Sequence, residues 1–379
     1  MSKTALVITF HLKNEKRRGG FHFWIDTLLK NGYDVDWVTS PVNPSWIFKN
    51  TDRENIKNFF TLLSGVYYIK YGHTAKNFAV PFIIPGKIKK ILGLSDNSLN
   101  YTNWNNLHKK LRDKYDIILL EGVACKYADD IKREYKDSKI IYRPSDIFST
   151  LYNVEDADDI DCNMIQKSNI TLCVDENQIN YYKNLGVKND KLKIMRNPLS
   201  TDDDIDFLKN YNPVSSNNVV YIGVSFCDLD YIEYAAKLNS NLNFYIIGPF
   251  NKKSHDNIVY TDPLTKNEFE SYLINAQVAI APVKPTSKFN LYGYTGKIIM
   301  YMKYLLPIVT TNFSNYLGVK GIYNTESEEE FSSRLTELSH MTVDERKKLK
   351  NDYLRVLNNF TYNNAEEVFE KELTANINE

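Results

Sequence analysis

The chain has 379 residues, 47 basic and 47 acidic side chains, a formal net charge of zero and 43% hydrophobic residues. This balance excludes a dedicated DNA-binding protein, because such a protein needs a cationic excess to displace counterions from the phosphates. The composition is that of a globular protein, and the length predicts two domains. The four cysteines show no metal-ligand spacing, so we expect neither zinc nor another bound metal.

The first part of the chain is predicted to alternate between strands and helices. An apolar run at residues 4–10 is followed by a helical pattern that begins near Phe21 and ends at Gly32, and then by a second strand at 33–38. A strand, loop, helix and strand in this order open a parallel doubly wound sheet. The same alternation predicts further strands at residues 116–120, 139–142, 170–174 and 192–195.

A second set of strands follows a polar connector at residues 197–218, and its predicted members are residues 219–222, 243–247, 278–281 and 308–310. We therefore expect an α/β protein with two Rossmann-like, doubly wound parallel-sheet domains that face each other across a cleft. Open α/β sheets bind their ligands at the carboxyl ends of the strands. The predicted boundaries are an acceptor-binding domain at 1–198, a nucleotide-sugar domain at 199–350, and a C-terminal helix within 351–379 that can cross back to the first domain.

Residues 59–90 interrupt this alternation with aromatic and apolar residues interleaved with lysine. One interpretation is an inserted helix pair that caps the first domain. The other is a membrane-facing insertion, at about 59–110, that binds an anionic lipid surface. Residues 1–114 hold 18 Lys+Arg and 8 Asp+Glu, whereas the remainder holds 29 and 39, which favours the membrane interpretation.

Neither a secretory signal pattern nor an apolar stretch of membrane-spanning length is present in the sequence. We therefore expect a cytoplasmic protein that lies peripherally on the inner face of the cell membrane. Nucleic acid is not an expected partner.

Asp146 is the first candidate for a catalytic residue. It follows the predicted strand at 139–142, where its carboxylate can accept a proton from an acceptor hydroxyl as a general base. The alternative is that Ser145 and Asp146 only cap the helix that follows. Glu121 ends the preceding strand, and it is either a second carboxylate at the same edge or a turn residue.

Lys297 is the second candidate, because it lies in the first turn of an apolar helix that follows Tyr294, Thr295 and Gly296. Backbone N–H groups at a helix start and a nearby ammonium both attract anions, such as the diphosphate of a nucleotide sugar. The alternative is a flexible glycine turn before a core helix. The spacing does not match a Walker A loop.

Two glycine turns are further candidates. Gly223 follows the first strand of the second domain and precedes Ser225 and Phe226, and a glycine there lets a ligand approach the backbone closely. Arg17 and Arg18 lie in a basic glycine loop after the first strand, where they can bind acceptor phosphate or carboxylate groups. The alternative for this loop is ordinary solvation.

Together these segments resemble a known family. The two-sheet plan is similar to that of GT-B glycosyltransferases, and several segments resemble the GumK-type glucuronosyltransferases of exopolysaccharide assembly. The matching segments are Arg17-Arg18 ahead of Phe21-His22-Phe23, Asp116 through Glu121, Tyr142-Arg143-Pro144-Ser145-Asp146 ahead of Ser149-Thr150, and Lys297 to Pro307.

The resemblance implies a role for each candidate residue. Asp146 corresponds to the proposed catalytic base of the family, and Lys297 to the lysine that binds the donor diphosphate. The implied donor-binding set is Gly223, Ser225, Phe226, Val283, Tyr294, Thr295, Gly296, Lys297 and Met300, and the implied acceptor-binding set is Arg17, Arg18, Glu121 and Arg143. The chain departs from the family pattern at Met300, where the GumK type has Gln, and at Val283, where it has an aromatic residue.

The implied function is an inverting transfer of a sugar, with glucuronic acid as one option, from a UDP-sugar to a lipid-linked oligosaccharide in capsule or exopolysaccharide biosynthesis. No cofactor beyond the donor and no metal is expected, because protein cations can neutralise the leaving group. One alternative is a nucleotide-sugar epimerase of the same two-domain plan. The other is a non-catalytic paralogue that binds glycan or nucleotide, which Met300 and Val283 suggest.

Overall fold

The computed structural model describes residues 2–13, 20–42, 61, 63–81, 104–151, 156–223, 227–251, 255–283, 295–311 and 318–375. The chain divides into two compact units, which we call the first unit (Met1–Asn197 with Glu366–Glu379) and the second unit (Pro198–Ala365). Five predicted site residues lie outside the described residues: Arg17, Arg18, Ser225, Phe226 and Tyr294.

The described residues of the first unit form an eight-stranded sheet in the order β3-β4-β2-β1-β5-β6-β7-β8. The strands are β1 (Lys3–Thr9), β2 (Tyr33–Val42), β3 (Val66–Lys70), β4 (His73–Pro81), β5 (Ile117–Leu120), β6 (Lys139–Tyr142), β7 (Ile170–Cys173) and β8 (Leu192–Ile194). Neighbours pair in parallel, except that β3 is antiparallel to β4.

Helices complete the first unit. They are α1 (Gly20–Lys30), α2 (Trp104–His108), α3 (Ala128–Glu134), α4 (Phe148–Leu151), α5 (Ala157–Lys167) and α6 (Glu176–Asn184). The central strands β1 and β5 are near-continuous apolar runs because a parallel sheet is covered on both faces, and the side chains of β5 are all buried. Helix α1 buries Phe21, Trp24, Ile25 and Leu28, the spacing of a single helical face.

An antiparallel hairpin of β3 and β4 occupies residues 66–81. The helix-pair interpretation is therefore wrong for the described part of this segment. Its turn places Tyr71 at φ 55° and Gly72 at φ 81°, and such positive values are those of a tight hairpin turn. The sequence pattern did not predict β3 and β4 because lysines and aromatic residues interrupt the apolar alternation.

The described residues of the second unit form a six-stranded parallel sheet in the order β11-β10-β9-β12-β13-β14. Its strands are β9 (Asn218–Ile222), β10 (Asn243–Ile247), β11 (Ile258–Thr261), β12 (Val278–Ala281), β13 (Ile308–Thr311) and β14 (Ile322–Thr325). Its helices are α7 (Asp202–Asn210), α8 (Leu229–Leu238), α9 (Lys266–Ile274), α10 (Gly296–Lys303), α11 (Glu328–Ser339), α12 (Val343–Lys347) and α13 (Lys350–Asn358).

The C-terminal segment contains helix α14 (Tyr362–Thr374) after α13, so two helices occupy the region where one was predicted. Residues from Glu366 onward belong to the first unit. There the buried ammonium of Lys139 donates hydrogen bonds to the carbonyl oxygens of Glu372 (2.5 Å) and Ala375 (2.8 Å). No helix within the described ranges is both long and apolar enough to cross a membrane.

The strand order of each sheet reverses direction at one point, between β1 and β5 in the first unit and between β9 and β12 in the second. In open α/β sheets the crevice beyond the carboxyl ends at such a point binds the ligand. The residues that emerge there are Phe10 and Glu121 in the first unit, and Gly223 and Pro282 in the second.

Candidate functional site

Glu121 lies at the carboxyl end of β5 and is only 2% exposed. Its Oε2 accepts hydrogen bonds from the Thr9 hydroxyl (2.5 Å) and the Phe10 N–H (3.3 Å), and its Oε1 accepts one from the Ser145 hydroxyl (2.5 Å). Burial raises the pKa of this carboxyl, against the opposing charge of His11 and these donors. Glu121 was predicted to bind the acceptor. Its burial instead fits a role in fixing the end of β1 to the turn that contains Asp146.

Arg143, another predicted acceptor contact, is fully buried. Its guanidinium donates hydrogen bonds to the carbonyl oxygen of Pro144 (2.8 Å) and to Asn197 Oδ1 (2.7 Å), and it lies 5.9 Å from the ring centroid of Trp24. Burial lowers the pKa of Arg143 to about 10. Arg143 therefore has no exposed surface for an acceptor, and it acts as a buried cation beneath the Asp146 turn.

Asp146 follows β6 and is half-buried. Burial raises the pKa of its carboxyl above the ordinary value, and the guanidinium of Arg143 opposes this rise. The first N–H of α4, that of Phe148, donates to Asp161 Oδ2 (3.2 Å), so this N–H is bonded by Asp161 and not by Ser145 or Asp146. A partly exposed carboxylate with a raised pKa has the properties of a general base.

Asp161 is a buried residue of this site that the sequence did not indicate. Besides the Phe148 N–H, it accepts hydrogen bonds from the hydroxyls of Tyr142 (2.5 Å) and Tyr182 (2.9 Å). Tyr142 and Phe148 flank the turn that contains Asp146, so a single carboxylate holds both ends of that turn. Burial raises the pKa of Asp161 to about 6.

Lys297 lies in the first turn of α10 in the second unit. Its ammonium donates a hydrogen bond to the Tyr221 hydroxyl (3.1 Å) and lies 4.6 Å from the centroid of the same ring. Burial lowers the pKa of Lys297 to about 8. Among the described residues no carboxylate forms an ion pair with this ammonium. A half-buried cation of this kind at a helix N-terminus can receive an anionic ligand.

Gly223 follows β9 and lies against the same Tyr221 side chain that Lys297 contacts. A Cβ atom at this position would lie 2.5 Å from the Tyr221 hydroxyl, and one at Gly248 would lie 2.0 Å from the Gly223 carbonyl oxygen. Gly248 has φ 155°, which favours glycine. A side chain at Gly248 would therefore clash with the backbone of the Gly223 turn, and one at Gly223 would clash with the Tyr221 ring that contacts Lys297.

The other described donor candidates differ in their surroundings. Thr295 is the residue before α10, and its buried hydroxyl has no hydrogen-bond partner among the described residues. Gly296 is exposed and Met300 is half-buried. Val283 is 7% exposed, and both its N–H and its carbonyl are bonded to the Thr311 hydroxyl (2.7 and 2.9 Å). Val283 is therefore held as part of the core, with little side-chain surface for a donor.

Residues 7–166 match the family model of the N-terminal domain of the glucuronosyltransferase GumK. This is the first unit up to α5, and it contains Phe10, Glu121, Arg143, Asp146 and Asp161. The chain has the fold of the GT-B glycosyltransferases. A sequence comparison with curated proteins gave no significant match.

Solved structures extend the fold match to both units. An apo structure of OtsA aligns with a TM-score of 0.66 at 10% identity, covering 99% of this chain and 100% of the other. An E. coli trehalose-6-phosphate structure bound with UDP-2-fluoro glucose aligns at 0.64 and 11%, covering 97% and 98%. A sucrose-phosphate synthase from Thermosynechococcus elongatus aligns at 0.63 and 11%, covering 98% of each chain. These structural alignments establish the GT-B fold of the chain. At identities this low they do not establish its substrates.

Proposed function

We propose that this GT-B protein is an inverting transferase that moves a sugar from a UDP-sugar to a lipid-linked oligosaccharide during capsule or exopolysaccharide assembly. Glucuronic acid is the first donor sugar to test, because the family model that matches residues 7–166 is that of a glucuronosyltransferase. The observation that carries the proposal is the half-buried Asp146, held at the carboxyl edge of that same domain with a raised pKa.

In the proposed reaction the Asp146 carboxylate takes the proton of an acceptor hydroxyl. The hydroxyl oxygen then attacks the anomeric carbon of the donor sugar, the bond from that carbon to the diphosphate oxygen breaks, and UDP leaves with the bonding pair. A base with a raised pKa is more effective in the first step than an ordinary exposed carboxylate. Glu121, Arg143 and Asp161 position the base.

Lys297 and the N-terminus of α10 would stabilise the charge that develops on the departing diphosphate. The Thr295 hydroxyl, buried beside them without a protein partner among the described residues, is a further donor for a phosphate oxygen. The similar solved structure bound with UDP-2-fluoro glucose supports uridine as the nucleoside of the donor to test first. Because protein cations supply the neutralising charge in this scheme, we propose that turnover is independent of metal ions and unaffected by EDTA.

Turnover can be tested by UDP release from a panel of nucleotide sugars in the presence of a bacterial membrane-lipid extract. The proposal expects release that depends on the extract and on one UDP-sugar, with a new glycolipid as product. Conversion of a UDP-sugar to its epimer without any lipid would favour the epimerase instead. Binding of UDP without turnover of any donor would favour a non-catalytic role.

We further propose that the hairpin of β3 and β4 binds the membrane surface from which the acceptor is taken. Tyr67, Ile69 and Tyr71 are 62%, 76% and 59% exposed, and their spacing of two residues places Tyr67 and Ile69 on one face of β3. The ammonium of Lys76 lies over the Tyr67 ring and that of Lys70 over the Tyr71 ring. Exposed aromatic and apolar side chains among lysines suit an anionic lipid interface.

Vesicle flotation tests this surface. Wild-type protein should float with vesicles that contain phosphatidylglycerol, and the bound fraction should fall as salt is raised. The substitution Ile69→Glu should abolish flotation. Leu238→Glu is the matched control, because Leu238 is 63% exposed but lies on α8 of the second unit. Equal flotation of Ile69→Glu and wild type would contradict the membrane role of the hairpin.

A further inference from the structure

The carboxyl end of β1 carries an exposed aromatic side chain to which the proposed reaction assigns no role. Residues Ala5 to Thr9 are fully buried, whereas Phe10, the next residue, is 42% exposed. Phe10 emerges at the point where the strand order reverses, which is where this class of sheet binds its ligand. Single exposed apolar residues are common on protein surfaces, so its surroundings decide its significance.

The backbone around Phe10 is fixed by hydrogen bonds. The Phe10 N–H donates to Glu121 Oε2 (3.3 Å). The carbonyl oxygen of the next residue, His11, accepts hydrogen bonds from Trp37 Nε1 (3.1 Å) and from the Thr39 hydroxyl (2.8 Å). Because the backbone is held in this way, an exposed ring on it loses little conformational entropy when a ligand covers it. Such a pre-organised contact favours binding.

The rings of Phe10 and His11 pack together. Their centroids are 4.2 Å apart with 31° between the planes, and the half-buried His11 ring is stacked in turn against Phe21 at 6.1 Å and 25°. We call Phe10 and His11 the Phe10–His11 platform. It offers an apolar face next to a nitrogen heterocycle, the combination of apolar and polar surface found in small-molecule sites.

The Phe10–His11 platform and the base are held by the same carboxylate. Oε2 of Glu121 accepts from the Phe10 N–H, and Oε1 accepts from the hydroxyl of Ser145, the residue before Asp146. Because these are direct contacts to the two oxygens of one carboxylate, the backbone that carries Phe10 lies close to the turn that carries Asp146.

We propose that the Phe10–His11 platform binds a pyranose ring of the acceptor oligosaccharide. The apolar C–H face of the sugar would stack on the Phe10 ring, and a ring hydroxyl would meet the His11 imidazole. This inference rests on the proposed function, since it places the acceptor at Asp146. It assigns the recognition of acceptor sugar to the end of β1, in addition to any contact made by the hairpin with lipid.

Kinetics and direct binding test the platform together. For Phe10→Ala we expect the acceptor KM to rise about tenfold, while the UDP Kd stays unchanged and Phe10→Trp restores the wild-type KM. Phe207→Ala is the matched control, because Phe207 is 39% exposed but lies on α7 of the second unit. In saturation-transfer difference NMR, methyl α- and β-D-glucopyranoside should give signals with wild type and with Phe10→Trp but not with Phe10→Ala.

The kinetic and the NMR measurements together distinguish an error in the assignment of the Phe10–His11 platform from an error in the proposed transferase function. If wild type turns over a UDP-sugar but Phe10→Ala keeps the wild-type acceptor KM and NMR signals, the platform is overturned and the transferase stands. If wild type releases no UDP from any donor but its glycoside signals depend on Phe10, the platform stands and the transferase falls. Absence of any glycoside signal, together with an unchanged KM, also overturns the platform.

Discussion

Asp161 provides a quantitative test of how the Asp146 turn is held. It is fully buried, and it accepts hydrogen bonds from Tyr142, Tyr182 and the Phe148 N–H. The substitution Asp161→Asn keeps the size of the side chain, removes its ionisation and replaces one accepting oxygen by an NH₂ group that accepts none of these bonds. The lost hydrogen bonds lower the free energy of unfolding by the same amount at every pH. The lost ionisation changes that free energy by an amount that depends on pH.

The pH dependence follows from the pKa of Asp161, which burial raises from 3.8 to about 6. A carboxyl with a raised pKa in the folded state contributes stability that is fully present below its unfolded pKa and is lost as the pH rises through the folded pKa. A shift of about two units corresponds to about 3 kcal/mol of the free energy of unfolding. Between about pH 4 and pH 6, wild type should therefore lose about 2 kcal/mol of this stability relative to Asp161→Asn, and the rest outside that range.

Urea unfolding of the two proteins at several pH values measures this difference. All four tryptophans lie at or before residue 104, so tryptophan fluorescence reports the unfolding of the first unit separately from the second. Other groups titrate in both proteins and cancel when the two free energies are subtracted. A difference that stays constant from pH 4 to pH 7 would show that Asp161 is not held as the structure describes.

Two further predictions concern the second unit. Because burial lowers the pKa of Lys297 to about 8, the UDP affinity measured by calorimetry should fall between about pH 7 and pH 9 as the ammonium loses its proton. Lys297→Met should bind UDP weakly at any pH, whereas Lys237→Met, a control on the exposed surface, should bind UDP normally. A wild-type UDP affinity that does not change with pH would contradict this role of Lys297. Gly223→Ala places a Cβ atom 2.5 Å from the Tyr221 hydroxyl, so it should destabilise the second unit by about 1–3 kcal/mol in thermal unfolding and weaken UDP binding. Gly318→Ala meets no atom within 4 Å but puts alanine at φ 89°, so it should also destabilise the second unit while leaving UDP binding intact. Normal UDP affinity in Gly223→Ala would contradict the role of Gly223.

The central strands could be predicted from the sequence because they are buried on both faces, which leaves short apolar runs bounded by turns. The observed β6, β10 and β12 have the predicted bounds. The edge strands β11 and β14 were missed. Their side chains are partly exposed, and four residues without a continuous apolar pattern do not distinguish a strand from a loop.

The site was less predictable because its organisation depends on burial. The family resemblance implied acceptor contacts for Arg143 and Glu121, whereas the fold encloses both. Arginine and glutamate are usually exposed, and nothing local in the sequence shows that these two are buried. Asp161 lies in an acidic segment that is typical of a solvated helix start, and nothing local shows that its carboxylate is buried. Phe10 was counted as the last residue of a strand. The polar residues on either side of it, Thr9 and His11, were the sequence signal that the strand ends before Phe10.

The most direct test of the account is a comparison of wild type with Asp146→Asn, with sugar transfer and UDP binding measured on the same preparations. The substitution keeps the shape of the side chain and removes the base, so transfer should fall by about 100- to 10,000-fold while the UDP Kd remains that of wild type. Transfer by Asp146→Asn at the wild-type rate would contradict the assignment of Asp146 as the base, and with it the proposed mechanism.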